Sequence, residues 1–204
     1  AFDFGGPHEP PRSALCDDPA LAAMGLTRPR CARAPECMRG EEDPAASLAV
    51  DTVEQVVAQL DRAVPRWRRL RVGLSLGTSS GGMLQAEKFF RARIEGRPPT
   101  VPPESATYFG PFERVVARLQ GVRIVRRTQV VAACASSTVA IGRGLRWLDL
   151  DLCDLVLAGG YDGVSLFVAA GFEGLRATSA GYPQPFRPRR DGMLLGEEIG
   201  RAHV

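Results

Sequence analysis

The chain has 204 residues, 45% hydrophobic and 24% charged, which is long enough to bury one sizeable core and lies in the globular range. Its formal charge of +3 comes from scattered arginines, with Lys88 the only lysine, and an unclustered basic excess excludes a nucleic-acid footprint. No stretch has the unbroken apolar length of a membrane span, and no charged segment followed by an apolar one opens the chain, so we expect a soluble, cytoplasmic protein with no membrane partner.

Residues 1–44 are interrupted by Pro7, Pro10, Pro11, Pro19, Pro29, Pro35 and Pro44, which predicts an irregular Pro/Arg-rich segment with one short helix near Pro19 to Met24. The chain opens without methionine, as expected of a piece of a longer protein. Asp43-Pro44 is an N-cap and first-turn pair. It predicts a helix to about Val64, with Val53, Val56, Val57, Leu60 and Val64 at helical spacing. Arg71 to Gly77 is a short apolar run, predicted as a buried strand that feeds the turn Thr78-Ser79-Ser80-Gly81-Gly82 and a helix from about Met83 to Ile94. A proline loop over 97–103 precedes a helix carrying Phe109, Phe112, Val115, Val116 and Leu119. Val122 to Ala133 then predicts a strand, Cys134 to about Leu148 a helix, and Leu155 to Ala158 a buried strand closed by Gly159-Gly160. Strands alternating with helices imply an α/β fold with a mostly parallel sheet covered on both faces.

Two segments invite chemistry. Gly77 to Gly82 follows a strand, as a phosphate-binding turn would, but it has neither the Gly-Lys-Ser/Thr ending nor the Gly-x-Gly-x-x-Gly spacing, so we read a tight packing turn. The run Val130-Val131-Ala132-Ala133-Cys134-Ala135-Ser136-Ser137 stops a β-branched strand at a thiol where small residues begin a helix. A helix start offers N–H groups without intrahelical partners and partial positive charge, which favour a thiolate and can hold an oxyanion. Cys134 is therefore the candidate nucleophile, whereas Cys153, between Leu152 and the apolar strand, reads as a small buried hydrophobe.

Five cysteines at irregular spacing argue against a disulfide framework, and Cys31 and Cys37 with His8 upstream match no metal-pair spacing, so no metal is expected. A thiol nucleophile needs a proton-accepting partner, and the chain offers only His8 and His203, neither on a credible element.

Ala133-Cys134-Ala135-Ser136-Ser137-Thr138 with Ala140-Ile141-Gly142, then Asp154 to Asp162, then Gly171 to Ser179, then Pro185 to Glu197, resemble in this order the β-ketoacyl-ACP synthases of the thiolase superfamily. Gly77 to Gly82 is similar to that family's glycine-rich strand-end turn. The resemblance implies a thiolase-like α/β fold, here its N-terminal βαβαβ-type half with a mixed, mostly parallel sheet, and a homodimer when complete. It also implies an acyltransferase of fatty-acid or polyketide synthesis that takes an acyl group onto Cys134 and condenses it with malonyl-ACP, with no cofactor. The partners implied are acyl carrier protein and acyl and malonyl thioesters. Two histidines and a lysine of the family's second half have no counterpart in residues 1–204, so turnover by this chain alone is not expected. A thiolase-like acyl-loading enzyme and a non-catalytic ketosynthase partner subunit are the alternatives; such partners lack the cysteine. The synthase unit is expected over 45–197. Residues 198–204, which leave the family's Gly-Glu-Gly-Ala continuation abruptly, are expected to be a non-native read-through.

An apolar helix face left for the missing half to cover predicts self-association.

Overall fold

The computed structural model describes residues 15–34, 43–184 and 186–203, of which 198–203 by backbone alone. In chain order the elements are β1 (Leu15–Asp17), α1 (Pro19–Ala23), β2 (Arg30–Ala32), α2 (Pro44–Ala63), β3 (Val72–Gly77), α3 (Met83–Ile94), α4 (Gly110–Arg118), β4 (Ile124–Val130), α5 (Ser136–Asp149), β5 (Leu155–Asp162), α6 (Leu166–Gly174), β6 (Leu195–Gly196) and β7 (Glu198–His203).

The main sheet has the order β4-β3-β5-β7. β3 is parallel to both β4 and β5, and β7 runs antiparallel to β5 from Leu157↔His203 to Asp162↔Glu198. The mixed, mostly parallel sheet of the sequence reading is therefore present. β3 lies between the two strands that follow it, so α5, which connects β4 to β5, crosses over β3.

Every residue of β3 is buried, and its period-two alternation divides the labour between the two faces. Val72, Leu74 and Leu76 join Val53, Val56 and Leu60 of α2, Phe112 and Val115 of α4, and Leu157 and Tyr161 of β5 in the main core. Gly73, Ser75 and Gly77 point at α5 instead. A Cβ on Gly73 would lie 2.9 Å from Trp147, the Ser75 hydroxyl donates to the Ala140 carbonyl at 2.8 Å, and a Cβ on Gly77 would lie 2.3 Å from the Ser136 backbone. Small residues on this face let α5 lie close to the sheet.

A second sheet, β1-β2-β6, is built from three-residue and two-residue strands, with β1 antiparallel and β6 parallel to β2. The expected short helix is α1, capped by the Asp18 carboxylate on the Leu21 amide. The proline-rich segment, expected to be irregular, is thus tied down over 15–34, with Leu21 and Cys31 packed on Val164 and Ala169. Arg33 joins the Asp18 and Glu197 carboxylates at 2.7 and 2.8 Å. Burial pushes the Asp18 carboxyl up, but the hydrogen bonds from Arg33 and the Leu21 amide outweigh it and hold the group below its ordinary range.

Helix α6 carries no helical signal in the sequence. Gly171 and Gly174 lower its intrinsic propensity, and its nearly uniform apolar character hides the period of 3.6, while Ser165 caps it by accepting from the Val168 amide. It leaves Phe167 and Leu175 exposed beside an open apolar depression of about 670 Å³. No described helix is long and apolar enough to cross a membrane.

Candidate active site at the start of helix α5

β4 ends at Val130 and α5 begins at Ser136, so the strand and helix expected to meet at Cys134 are joined by a turn. The Ala135 amide donates to Ala132 O and the Ser136 amide to Ala133 O, both at 3.1 Å. The Ser136 hydroxyl accepts from the Ala132 amide at 2.8 Å and donates to Ala133 O at 2.6 Å. Ala133 is consequently held at φ +49°, a left-handed conformation that a non-glycine residue enters at a cost of about 1–2 kcal/mol. Strain of this kind persists only where the surroundings over-determine it, and here it turns the next residue, Cys134, out of the sheet. Cys134 is exposed, one residue before the helix cap Ala135.

The first turn of α5 rests on backbone. A Cβ on Gly77 would sit 2.3 Å from Ser136 C and O, and one on Gly160 would sit 2.5 Å from Ser137 Cβ. Only glycine at the ends of β3 and β5 permits that approach. Farther along the same helix, Gly144 meets Val156 and Ala158 of β5.

The glycine-rich turn after β3 is a packing device, as expected. Gly81 has φ +54°, and a Cβ on Gly82 would lie 2.3 Å from the Thr107 carbonyl oxygen. It is also an anion-binding turn whose anion belongs to the chain. The Asp162 carboxylate, at the end of β5, accepts from the Thr78 hydroxyl, the Ser79 amide and hydroxyl, and the Ser80 amide and hydroxyl, at 2.6 to 3.1 Å. The turn is joined to the strand that leads to Cys134 by the Thr78 amide, which donates to Val130 O at 3.0 Å. Asp162 lies within a family-like motif, but nothing local marks its role, because its partners are separated from it by some eighty residues and only strand adjacency brings them together.

Cys153 is 3% exposed, and burial pushes its thiol above the ordinary value. Cys31 is fully buried and its thiol is pushed up to about 11, chiefly by burial. Cys16 faces Cys31 across β1 and β2 and is exposed. His8 and Cys37 lie outside the described residues, and only the backbone of His203, in β7, is described. Among the described residues no cluster of three metal-ligating side chains forms.

The mixed, mostly parallel sheet with a helix crossing over β3 agrees with the fold that the sequence resemblance implies. Residues 22–202 match the family model described as beta-ketoacyl synthase, N-terminal domain, and the chain belongs to that family. It is 26% identical over 164 residues to Nodulation protein E of Rhizobium meliloti, an alignment covering 78% of this chain and 40% of that protein. Among solved structures, a β-ketoacyl synthase from Burkholderia phymatum STM815 superposes with a TM-score of 0.75 at 23% identity, over 90% of this chain and 50% of that one. A type II polyketide ketosynthase solved with its acyl-carrier protein, AntDE:AntF, superposes with a TM-score of 0.70 at 18% identity, over 88% and 47%. The chain thus spans about half the length, or less, of these relatives, and the fold is that of the thiolase-like ketosynthases.

Proposed function

We propose that Cys134 accepts an acyl group from an acyl thioester carried by acyl carrier protein, as the first half-reaction of a β-ketoacyl synthase in fatty-acid or polyketide assembly. The single observation that carries this reading is the exposed thiol on the strained turn before α5, set on the glycines of β3 and β5. In the step proposed, the Cys134 sulfur attacks the thioester carbonyl carbon, the carbonyl oxygen takes the negative charge, and the C–S bond to the carrier breaks. The carrier thiol leaves with a proton and the acyl group stays on Sγ. The Cys134 backbone amide is the oxyanion donor that the family resemblance assigns.

In the second half-reaction, malonyl thioester loses carbon dioxide and its C2 carbanion attacks the acyl carbon, releasing the Cys134 thiolate and a β-ketoacyl thioester. The histidine pair and lysine that the resemblance assigns to this step have no counterpart in residues 1–204. Groups that act as a unit are lost together, so residues 1–204 alone are expected to form the acyl-enzyme and no condensation product. Residues 45–197 are proposed as the unit that carries the chemistry, and homodimerisation belongs to the complete protein. A non-catalytic partner role is disfavoured by the presence of Cys134 in an exposed, built position.

The test is mass spectrometry of carrier-bound products after incubation with acyl- and malonyl-loaded carrier protein. Acylated Cys134 without β-ketoacyl product is the expected outcome. Product formed by residues 1–204 alone contradicts the division of labour proposed.

A further inference from the structure

We propose that Asp162 is the positioning residue of the nucleophile turn: its carboxylate fills the anion-binding turn Thr78–Ser80 and so fixes where the Cys134 sulfur stands. The inference rests on Cys134 as the acyl acceptor and adds to that reading a residue that never touches the acyl group.

Five donor groups from three consecutive residues converge on one carboxylate, two of them backbone amides that define the path of the chain. Successive amides directed at one point form an anion nest, and without the anion those donors face one another with nothing to accept from them. The consequence reaches the thiol by a short route. Thr78 is fixed at both ends of this arrangement, its hydroxyl donating to Asp162 at 2.9 Å and accepting from the Gly81 amide at 2.8 Å. Its own amide holds Val130 O, the last residue of β4. Four residues later stands Cys134, with the strained Ala133 between them.

The neighbouring residues of the same two strands, Gly77 and Gly160, form the floor under Ser136 and Ser137. Asp162 therefore clamps the ends of β5 and β3 together at the level where α5 begins, and through Val130 adds the end of β4. The carboxylate thus joins the end of β5 to the turn after β3, and the Thr78 amide joins that turn to the end of β4. Ser79 is exposed and Asp162 only partly buried, so water and small ions reach the nest.

The experiment compares Asp162→Ala and Asp162→Asn with the unaltered protein. Peptide mapping follows carbamidomethylation by iodoacetamide at Cys134, with exposed Cys16 as internal reference and buried Cys153 as a monitor of unfolding; acylation of Cys134 by an acyl thioester is followed in parallel. We expect Asp162→Ala to slow acylation of Cys134 roughly 10- to 100-fold, the scale of a reacting atom displaced by about 1 Å from an oriented substrate, and to slow its alkylation several-fold with Cys16 unchanged. Formate, a free carboxylate small enough for the emptied nest, is expected to restore part of the rate where chloride at equal ionic strength does not. Asp162→Asn, which keeps the volume, is expected to slow Cys134 several-fold without exposing Cys153.

An unchanged Cys134 rate in folded Asp162→Asn overturns the proposal, as does a loss in Asp162→Ala that formate fails to rescue. If the unaltered protein takes no acyl group, the functional reading fails, while the ratio of Cys134 to Cys16 alkylation still decides the role of Asp162.

Discussion

Helix α5 has a cysteine just beyond each end, and the two ends are built to opposite effect. Cys134 precedes the helix, exposed, on a left-handed turn lying over the glycines of β3 and β5. Cys153 follows it, buried beside Trp147 and Gly73, with its thiol pushed up by burial. The same residue type flanking the same helix is presented to solvent at one end and used as packing at the other. What differs is what the glycines beneath meet: Gly77 lets the helix start come down onto its Ser136 backbone, whereas Gly73 at the other end of β3 faces the Cys153 and Trp147 side chains.

This contrast is broken most strongly by filling the floor. Gly77→Ala places a Cβ 2.3 Å from Ser136 backbone atoms that cannot move aside alone, and we expect it to cost about 3 kcal/mol or more in urea unfolding. Gly73→Ala, at the other end of β3, meets side chains rather than backbone, Cys153 Sγ and the Trp147 ring at 2.9 Å, and is expected to cost less, about 1–2 kcal/mol. Equal costs for the two variants contradict the view that the nucleophile end rests on backbone.

The contrast sharpens in the thiols themselves. At neutral pH, iodoacetamide is expected to modify Cys134 and Cys16 at least about a hundredfold faster than Cys153 and Cys31, whose reaction requires opening of the core. Peptide mapping after short labelling reads this ratio.

Alkaline pH gives the smallest effect. A thiol whose folded value is raised contributes stability that is complete below its unfolded value and is lost as pH rises through the folded one. For Cys31 that window runs from 9.0 to about 11, and Cys153 shifts in the same direction. Chemical denaturation should therefore show stability falling from pH 9 upward. Cys153→Ala should blunt the fall; a fall as steep in Cys153→Ala as in the unaltered protein contradicts the burial of that thiol.

Much of this arrangement is legible in the sequence, and for identifiable reasons. Asp43-Pro44 announces α2, which starts at Pro44 with the Asp43 carboxylate on the Ala46 amide. The apolar run before Gly77 announces β3, and the small residues after Cys134 announce a helix start. The turn itself is less visible: Ala133 carries no left-handed signal of the kind glycine or asparagine gives, so the expected strand runs three residues past the end of β4 and the expected helix starts two residues before α5. Strands of three residues such as β1 and β2 are too short to show a period. Asp162 is the deepest omission, since a carboxylate that completes a turn across two adjacent strands leaves no local pattern.

Phe90 and Ile94 of α3 and Phe167 and Leu175 at α6 are each more than half exposed. Concentration-dependent self-association in sedimentation is the expected result, and a monomer at all concentrations contradicts it.

The account stands on the Cys134 sulfur being held open to a thioester, and intact-mass measurement after incubation with acyl-loaded carrier protein, with peptide mapping, tests it directly. One acyl group on Cys134, absent in Cys134→Ala, is the result predicted; no acyl transfer, or acylation of Cys16 in its place, contradicts it.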